Sequence, residues 1–430
     1  MLYWMQQSQR VHYNHALNFA IAKSIEVKLP LHVLFVLTDE FPDAESAHYV
    51  FMLEGLIEVR DALAKLGIPF FLEIGNPIDV VSRFSIKASS IVFDKGYLRI
   101  QKAWRNAIRE KVEKSIYEVE SDVAVPVEMA SNKREYMART LRPKILNCFK
   151  DVLKDIDNQI VETDDLIMNY RQTHIPKHSV CDIEDVLKKY RRNARNVRFI
   201  GGHSMAVYQF EVFLEHKLPK YSEKSNHPED ECVSLISPYL HFGQISPLEL
   251  IGMTGHKYDF DDLFVRDFLE QLVVRRELAV NFVHYTENYD SLDSLPDWAK
   301  KTLEDHRYDR REYMYSYEEF EDGITHDPYW NACMKEMRET GFIHGYMRMY
   351  WGKKIMEWSG SPEIAYNTIL SLNNKYFLDG RDPVSYTSVL WLFGLHDQAW
   401  QERPVFGKIR YMNAAGLKRK FDIENYVERV

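Results

Sequence analysis

Three tryptophans in the carboxy-terminal half, Trp330, Trp351 and Trp358, are the residues whose rings could do chemistry together. Trp351 and Trp358 are seven positions apart, so on a helix they share a face but stand roughly 10 Å apart along the axis. That is too far for ring contact, and a third ring from another element, such as Trp330, could bridge them. On spacing alone, aromatic stripes of this kind are usually core packing. A second concentration is Asn373-Asn374 followed by Leu378-Asp379-Gly380-Arg381-Asp382-Pro383. Polar groups this dense, punctuated by Gly and Pro, read as a turn or cap; they could equally set an amide and a carboxylate against a bound ring system. The run Ser237-Pro238-Tyr239-Leu240-His241-Phe242-Gly243-Gln244 is a third. Ser and Gln beside a helix start suit phosphate or ribityl hydroxyls, though as bare sequence this is a capped helix. The clearest basic excess is Lys408, Arg410, Lys418, Arg419 and Lys420, a solvated patch or a phosphate-binding one.

The elements that must position these residues differ between the two ends of the chain. Apolar runs of strand length occur at Leu2–Met5, His32–Leu37, 69–74 and Ser90–Asp94. Between them, 43–66 has helical periodicity through Val50, Leu53, Ile57 and Leu63, with Gly67 where a carboxy-terminal cap belongs. Strand–helix alternation implies a parallel sheet covered on both faces, with ligands bound at the strand carboxyl ends. There is no GxGxxG after the first strand and no GxxxxGK[ST], so a standard dinucleotide or P-loop site is unsupported. Residues 132–202 are polar and helix-prone. Beyond them, 264–285, 334–358 and 361–375 each carry an apolar helical stripe. The spacing therefore predicts an α/β domain over 1–130, an interdomain connector over 131–202 and an all-helical domain over 203–430.

At 430 residues the chain exceeds what one hydrophobic core usually serves, in keeping with two domains. The four cysteines, Cys148, Cys181, Cys232 and Cys333, form no CxxC pair, which argues against a zinc site or a disulfide framework and fits a reducing compartment. Neither a signal peptide nor an apolar run of membrane-spanning length is visible, so the expected location is cytoplasmic. A net charge of -9 neither supports nor excludes nucleic acid.

Read together, these segments resemble the class II branch of the cyclobutane-dimer DNA photolyases, within the photolyase/cryptochrome family. The similarity begins at Tyr3-Trp4-Met5, Gln9-Arg10 and Asn14, and continues through Asp94-Lys95-Gly96-Tyr97-Leu98-Arg99 and Ala130-Ser131. It resumes in residues 237–246, Thr325-His326-Asp327-Pro328, Trp330-Asn331-Ala332 and His344-Gly345-Tyr346-Met347-Arg348-Met349-Tyr350-Trp351. Gly407-Lys408-Ile409-Arg410-Tyr411-Met412 and Lys418-Arg419-Lys420-Phe421-Asp422 complete it.

The resemblance implies a Rossmann-like antenna domain followed by a helical domain that binds FAD and DNA. Its reduced FAD anion, excited by blue light, donates an electron that splits cyclobutane pyrimidine dimers. It implies flavin contacts at Tyr221, Ser234, Leu235, Ser237 and Gln244. Asn373 matches the amide facing the reactive flavin nitrogen, and Arg348 with Asp379 an ion pair beside the ring. Trp351, Trp330 and Trp358 become the inner, middle and outer stations of an electron path, with Tyr315 and Tyr350 nearby. Asn226, Gln271, Met349, Trp391 and Trp400 match the lesion site, and Lys408 and Arg410 join the DNA contacts. The expected partner is dimer-containing DNA, bound by a monomer without metal. An antenna pigment, deazaflavin or folate, is implied without a motif that chooses.

The chain departs from the family in the lesion pocket. Gln271 stands where the family has a glutamate, Ser225 where an arginine is common, and position 275 is Arg rather than an aromatic. Both a protonated Glu and a Gln donate to a base carbonyl, but only the acid shares a proton with a developing radical anion. Neighbours on a helix point about 100° apart, so Glu270 is not expected to stand in. The alternative is a cryptochrome-like blue-light sensor that kept the flavin and lost or weakened repair. Signalling members often carry long tails, and the chain's end at Val430 favours the enzyme. A nucleotide-binding electron-transfer flavoprotein would explain only the amino-terminal domain.

Overall fold

The computed structural model describes residues 1–39, 41–169 and 182–430; Cys181 and residues 170–181 of the expected connector lie outside them. Five strands, β1 (Leu2–Met5), β2 (His32–Leu37), β3 (Phe70–Ile74), β4 (Ser90–Asp94) and β5 (Ser115–Val119), form one sheet in the order β3-β2-β1-β4-β5. Every pairing is parallel, with Leu2 opposite both His32 and Ile91. Alternate residues serve opposite faces. Tyr3, Met5, Val33 and Phe35 pack under helices α1 (His15–Val27) and α2 (Ser46–Lys65). Leu2, Trp4, Leu34 and Val36 pack against α3 (Pro77–Ser85) and α4 (Arg99–Lys111).

The four expected strands are present; β5 was not anticipated. It is an edge strand that pairs only with β4, and its half-exposed Ser-Ile-Tyr-Glu-Val carries no apolar run. Gly67 ends α2 as expected. With φ +71° it lets its own N–H reach Ala64 O and the Ile68 N–H reach Leu63 O, the paired bonds of a Schellman cap.

The remainder is helical. The stripe expected over 334–358 is two helices, Pro328–Thr340 and Gly345–Trp358. The break falls at Gly341, φ +76°, where a Cβ would stand 3.0 Å from Leu378. The stripe over 264–285 is continuous but not uniform: α-helix over Leu263–Leu269, a π-helical stretch over Glu270–Arg275, then α-helix over Arg276–Tyr285. Ser361 caps Pro362–Tyr376 through a bond to the Ile364 N–H. Of the segment 131–202, helix Ala138–Asn169 packs against α1 and puts Ile145, Val152 and Ile156 into the core of the helical part. Helix Ile183–Arg191 lies on α2, where Arg60 pairs with Glu184 at 2.7 Å and Tyr190 stacks on Tyr49 at 4.5 Å.

Sheet and helices are locked together by buried polar groups. Arg10, fully buried, donates to Gly243 O at 3.0 Å and to Ser121 O. Gly243 itself, φ +63°, approaches Gln7 so closely that any side chain would strike its carbonyl.

Candidate flavin and DNA site

A cavity of about 710 Å³ opens in the helical part, within the range of cofactor-sized sites. Its walls come from several elements. Leu235 and Ile236 precede the short helix Ser237–His241, and Leu235 adopts φ +58° while Ile236 is right-handed. That alternation turns successive N–H groups to one side, a concavity suited to anionic oxygens. Tyr221, Ser234, Leu235 and Ser237, all matched to flavin contacts, line this wall. Helix Gly345–Trp358 contributes Arg348, which donates to both Asp379 oxygens at 3.1 and 3.3 Å. Burial works to raise the Asp379 carboxyl, but Arg348 and the Ser237 hydroxyl outweigh it, so the group sits below the ordinary carboxylate range. The Arg348 guanidinium also lies 3.9 Å from the centre of the Phe377 ring. The ion pair is thereby fixed as a charged corner of the cavity.

The lesion-matched residues face the same space. Asn226, Gln271, Met349, Trp391 and Arg410 all line it. Gln271 lies in the π-helical stretch, an irregularity frequent at functional sites. Its neighbour Glu270 is held by Arg142 at 2.8 Å and Arg275 at 3.1 Å. It is committed to those partners and absent from the cavity lining. Trp400 is 42% exposed and outside the cavity. Arg410 bridges to it, its guanidinium 5.9 Å from the Trp391 ring and 5.1 Å from that of Trp400. Lys408 is exposed beside Glu402, and its carbonyl accepts from the Trp400 N–H at 2.8 Å.

Two matched residues lie elsewhere. Gln244 is fully buried between the two halves of the molecule: its Oε1 accepts from the Gly202 N–H at 2.8 Å and its Nε2 donates to Phe51 O at 3.0 Å. Asn373 is 3% exposed, and its Nδ2 donates to Asn374 Oδ1 at 3.1 Å. Conversely, Arg276, His396 and the hydroxyls of Ser385, Thr387 and Ser388 line the cavity without having been singled out. The clustered hydroxyls at 385, 387 and 388 were the one available signal, and helices carry such residues for many reasons.

The tryptophans form a buried array. Trp330 meets Trp358 at 6.0 Å between ring centres and donates its indole N–H to Trp351 O at 2.9 Å. Trp330 thus touches both residues of the neighbouring helix, Trp358 by its ring and Trp351 through the backbone carbonyl. Trp351 meets Phe377 at 6.0 Å, and Phe377 carries the Arg348 guanidinium at the cavity wall. Beyond Trp358 lie Tyr315 at 5.6 Å and His326 at 4.9 Å. Tyr350 donates to Asp327, and burial with that carboxylate pushes its phenol far above the ordinary range.

A smaller cavity, about 140 Å³, lies where the helical part meets the carboxyl ends of β1 and β2, walled by Leu37, Thr38, Gln101, Trp104 and His241. The crevice between β1 and β4, where the strand order reverses, is filled by the chain itself. Asp94 accepts from the N–H groups of Gln6, Gln7 and Ser8 and from the Tyr3 hydroxyl. A phosphate would need those same donors. Among the described residues, no helix is long and apolar enough to cross a membrane, and Cys148, Cys232 and Cys333 are free thiols.

This arrangement of sheet and helices is the photolyase/cryptochrome fold. It superposes on an archaeal photolyase of Sulfolobus tokodaii, solved with two FAD molecules, at TM-score 0.72 and 18% identity over 100% of this chain and 89% of that one. A Synechocystis cryptochrome matches at TM-score 0.76 and 14% identity, over 100% and 87%. The DNA photolyase family model matches residues 1–162. The deoxyribodipyrimidine photo-lyase of Methanothermobacter thermautotrophicus is 46% identical across 100% of this chain and 94% of its own length. The proteins of the same name from Arabidopsis thaliana and Potorous tridactylus are 39% and 38% identical, across all of this chain and 88% and 81% of theirs. The chain belongs to the deoxyribodipyrimidine photo-lyase family.

Proposed function

We propose that this protein, acting as a monomer of the class II branch, binds FAD in the 710 Å³ cavity and splits cyclobutane pyrimidine dimers in DNA under blue light. One observation carries the reading: the flavin-matched set Tyr221, Ser234, Leu235, Ser237, Arg348 and Asp379 and the lesion-matched set Asn226, Gln271, Met349, Trp391 and Arg410 line a single space. The walls suit FAD chemically. The αL–αR turn at Leu235–Ile236 and the neighbouring hydroxyls would hold phosphate and ribityl oxygens, and the Arg348–Asp379 pair would flank the ring. FAD, when bound and reduced, supplies the light-driven electron.

The chain's own residues do the rest. Trp391, Trp400 and Met349 offer apolar faces to an extruded dimer, which is poorly stacked and costs less to flip than an intact pair. Asn226 and Gln271 donate to base carbonyls, and Arg410 and Lys408 hold the phosphate backbone without reading sequence. Trp351, Trp330 and Trp358 relay electrons inward to restore the reduced flavin. The 140 Å³ cavity at the strand carboxyl ends is smaller than a site for an antenna pigment, deazaflavin or folate, and the absorption spectrum of the purified protein reports whether one is bound.

The test is direct. The protein is loaded with FAD, reduced under blue light with an external donor and incubated with a thymine-dimer oligonucleotide, and undamaged thymines should reappear only in the light. Normal photoreduction without dimer loss would replace the enzyme by the second reading, a light sensor with weak repair, which the departures at Gln271 and Ser225 favour.

A further inference from the structure

A third cavity, about 610 Å³, lies at the carboxyl end of helix Gly345–Trp358, away from the lesion pocket and against Trp358. Its walls combine rings and cations. Tyr313 stacks on His326 with ring centres 3.7 Å apart and planes 18° apart, and His326 meets Trp358 at 4.9 Å. Rings in contact therefore run from Tyr313, 40% exposed, to Trp358, 3% exposed. Tyr411 closes another side, beneath the Arg403 guanidinium at 5.2 Å.

Arg310, Arg311 and Arg403 also line the cavity, and among the described residues none of them is ion-paired. Arg311 donates through Nη1 to the Arg307 and Asp309 carbonyls, while its buried Nε has no partner. The acids are mostly committed. Glu357 accepts from Lys354 at 2.5 Å, and Asp327 accepts from the Tyr329 and Trp330 N–H groups and from Tyr350. Glu312 is the remaining acid on the lining, against three guanidiniums. The balance selects an anion, and the rings select a planar group.

We propose that this cavity docks the donor that refills the tryptophan path: an anionic, ring-bearing reductant of the reduced pyridine dinucleotide class. Its pyrophosphate would lie among Arg310, Arg311 and Arg403, and its ring against Tyr313, His326 and Trp358. The volume is that of a cofactor-sized site. The inference rests on the path assigned under the proposed function. One electron leaves the dihydropyridine ring for the indole cation radical left on Trp358, which returns to neutral tryptophan. The oxidised ring releases a proton to water, and the departing donor radical passes its second electron to dissolved dioxygen.

The experiment uses the full-length, FAD-loaded protein and NADH as the probe. Dark binding is read by NADH fluorescence, and flavin photoreduction by absorbance with either NADH or neutral dithiothreitol as donor. The double variant Arg310→Glu/Arg403→Glu should bind NADH at least about tenfold more weakly, a loss of ~1.4 kcal/mol, and its NADH-driven photoreduction should slow in step. Its dithiothreitol-driven rate should match the parent. Arg310→Gln/Arg403→Gln, which introduces no repulsion, should fall between. Equal NADH affinity in parent and variants, or equal slowing with both donors, overturns the proposal. If the parent protein photoreduces with neither donor, the tryptophan path itself fails, while dark binding still reports on the site.

Discussion

In the proposed lesion pocket, Gln271 is the side chain expected to set the repair yield. It lines the cavity beside Arg275, Arg276 and Arg410, in the same π-helical stretch as Glu270. Glu270 is held by Arg142 and Arg275 and supplies nothing to the pocket. Restoring an acid should therefore matter. A carboxylic acid hydrogen bond to a developing anion exceeds a neutral amide's by on the order of 1 kcal/mol. Gln271→Glu should raise the yield of dimers split per photon absorbed, measured on the reduced enzyme with a defined oligonucleotide; an unchanged yield would mean that the amide suffices. The residue type at 271 was legible in the sequence only through resemblance, because a lone Gln in an apolar stripe carries no signal. The commitment of Glu270 was not legible, since Arg142 is far away in the chain.

Elements were read more fully where the pattern was local. The four strands with apolar runs and the Gly67 cap follow from neighbouring residues, and the structure has them. β5 escaped because an edge strand needs only one buried face. The split between Pro328–Thr340 and Gly345–Trp358 escaped because the apolar stripe runs on across a left-handed glycine. That split has a consequence for pH. His344 caps the second helix: its Nδ1 accepts from the Tyr346 N–H at 3.2 Å and its Nε2 donates to Ser225 O at 3.0 Å, beside Asn226. The first bond requires a neutral ring, because a protonated Nδ1 accepts nothing; the second survives protonation. Burial lowers its pKa to about 4, and that of His396 on the cavity wall likewise to about 4. A base depressed in the folded state contributes stability that is present above its unfolded pKa, about 6.5. That contribution is lost as pH falls from there toward 4. His344→Gln keeps an acceptor and a donor without a titrating group. Urea unfolding between pH 7.5 and 4.5 should thus show a shallower loss of stability in the variant, by up to about 3 kcal/mol at the acid end. Parallel curves would mean that His344 does not titrate in this window.

At the scale of the whole molecule, the chain's two halves meet through polar groups that a sequence cannot pair, and the packed tryptophans proposed as an electron path depend on that assembly. Gln244 links α2 to Gly202 through Phe51 O and the Gly202 N–H. Gln244→Ala strands a buried donor and a buried acceptor, at about 1–3 kcal/mol each. It should lower the urea midpoint while leaving the FAD affinity of the folded protein near the parent's; a large loss of FAD affinity at unchanged stability would return Gln244 to the flavin. The path is a stricter test of the assembly. Trp330 stands on helix Pro328–Thr340 and its partners on Gly345–Trp358, so its contact with Trp358 and its bond to Trp351 O exist only because the two helices pack. The seven-residue spacing leaves room for one intermediate ring, and Trp330 packs on Trp358 while it bonds the Trp351 backbone. Trp330→Phe retains an aromatic core residue but removes the indole, whose oxidation is far easier than that of a phenyl ring. The partner carbonyl of Trp351 loses a bond, so a modest fall in stability of about 1 kcal/mol accompanies the change. Blue-light reduction of the bound flavin should then be abolished under an excess of donor. Dimer repair by enzyme reduced chemically in the dark should persist at the parent's rate, because the lesion pocket is untouched. Photoreduction at full rate in the variant would send the electrons by another route, and loss of both activities would show that Trp330 holds the flavin domain together rather than wiring it.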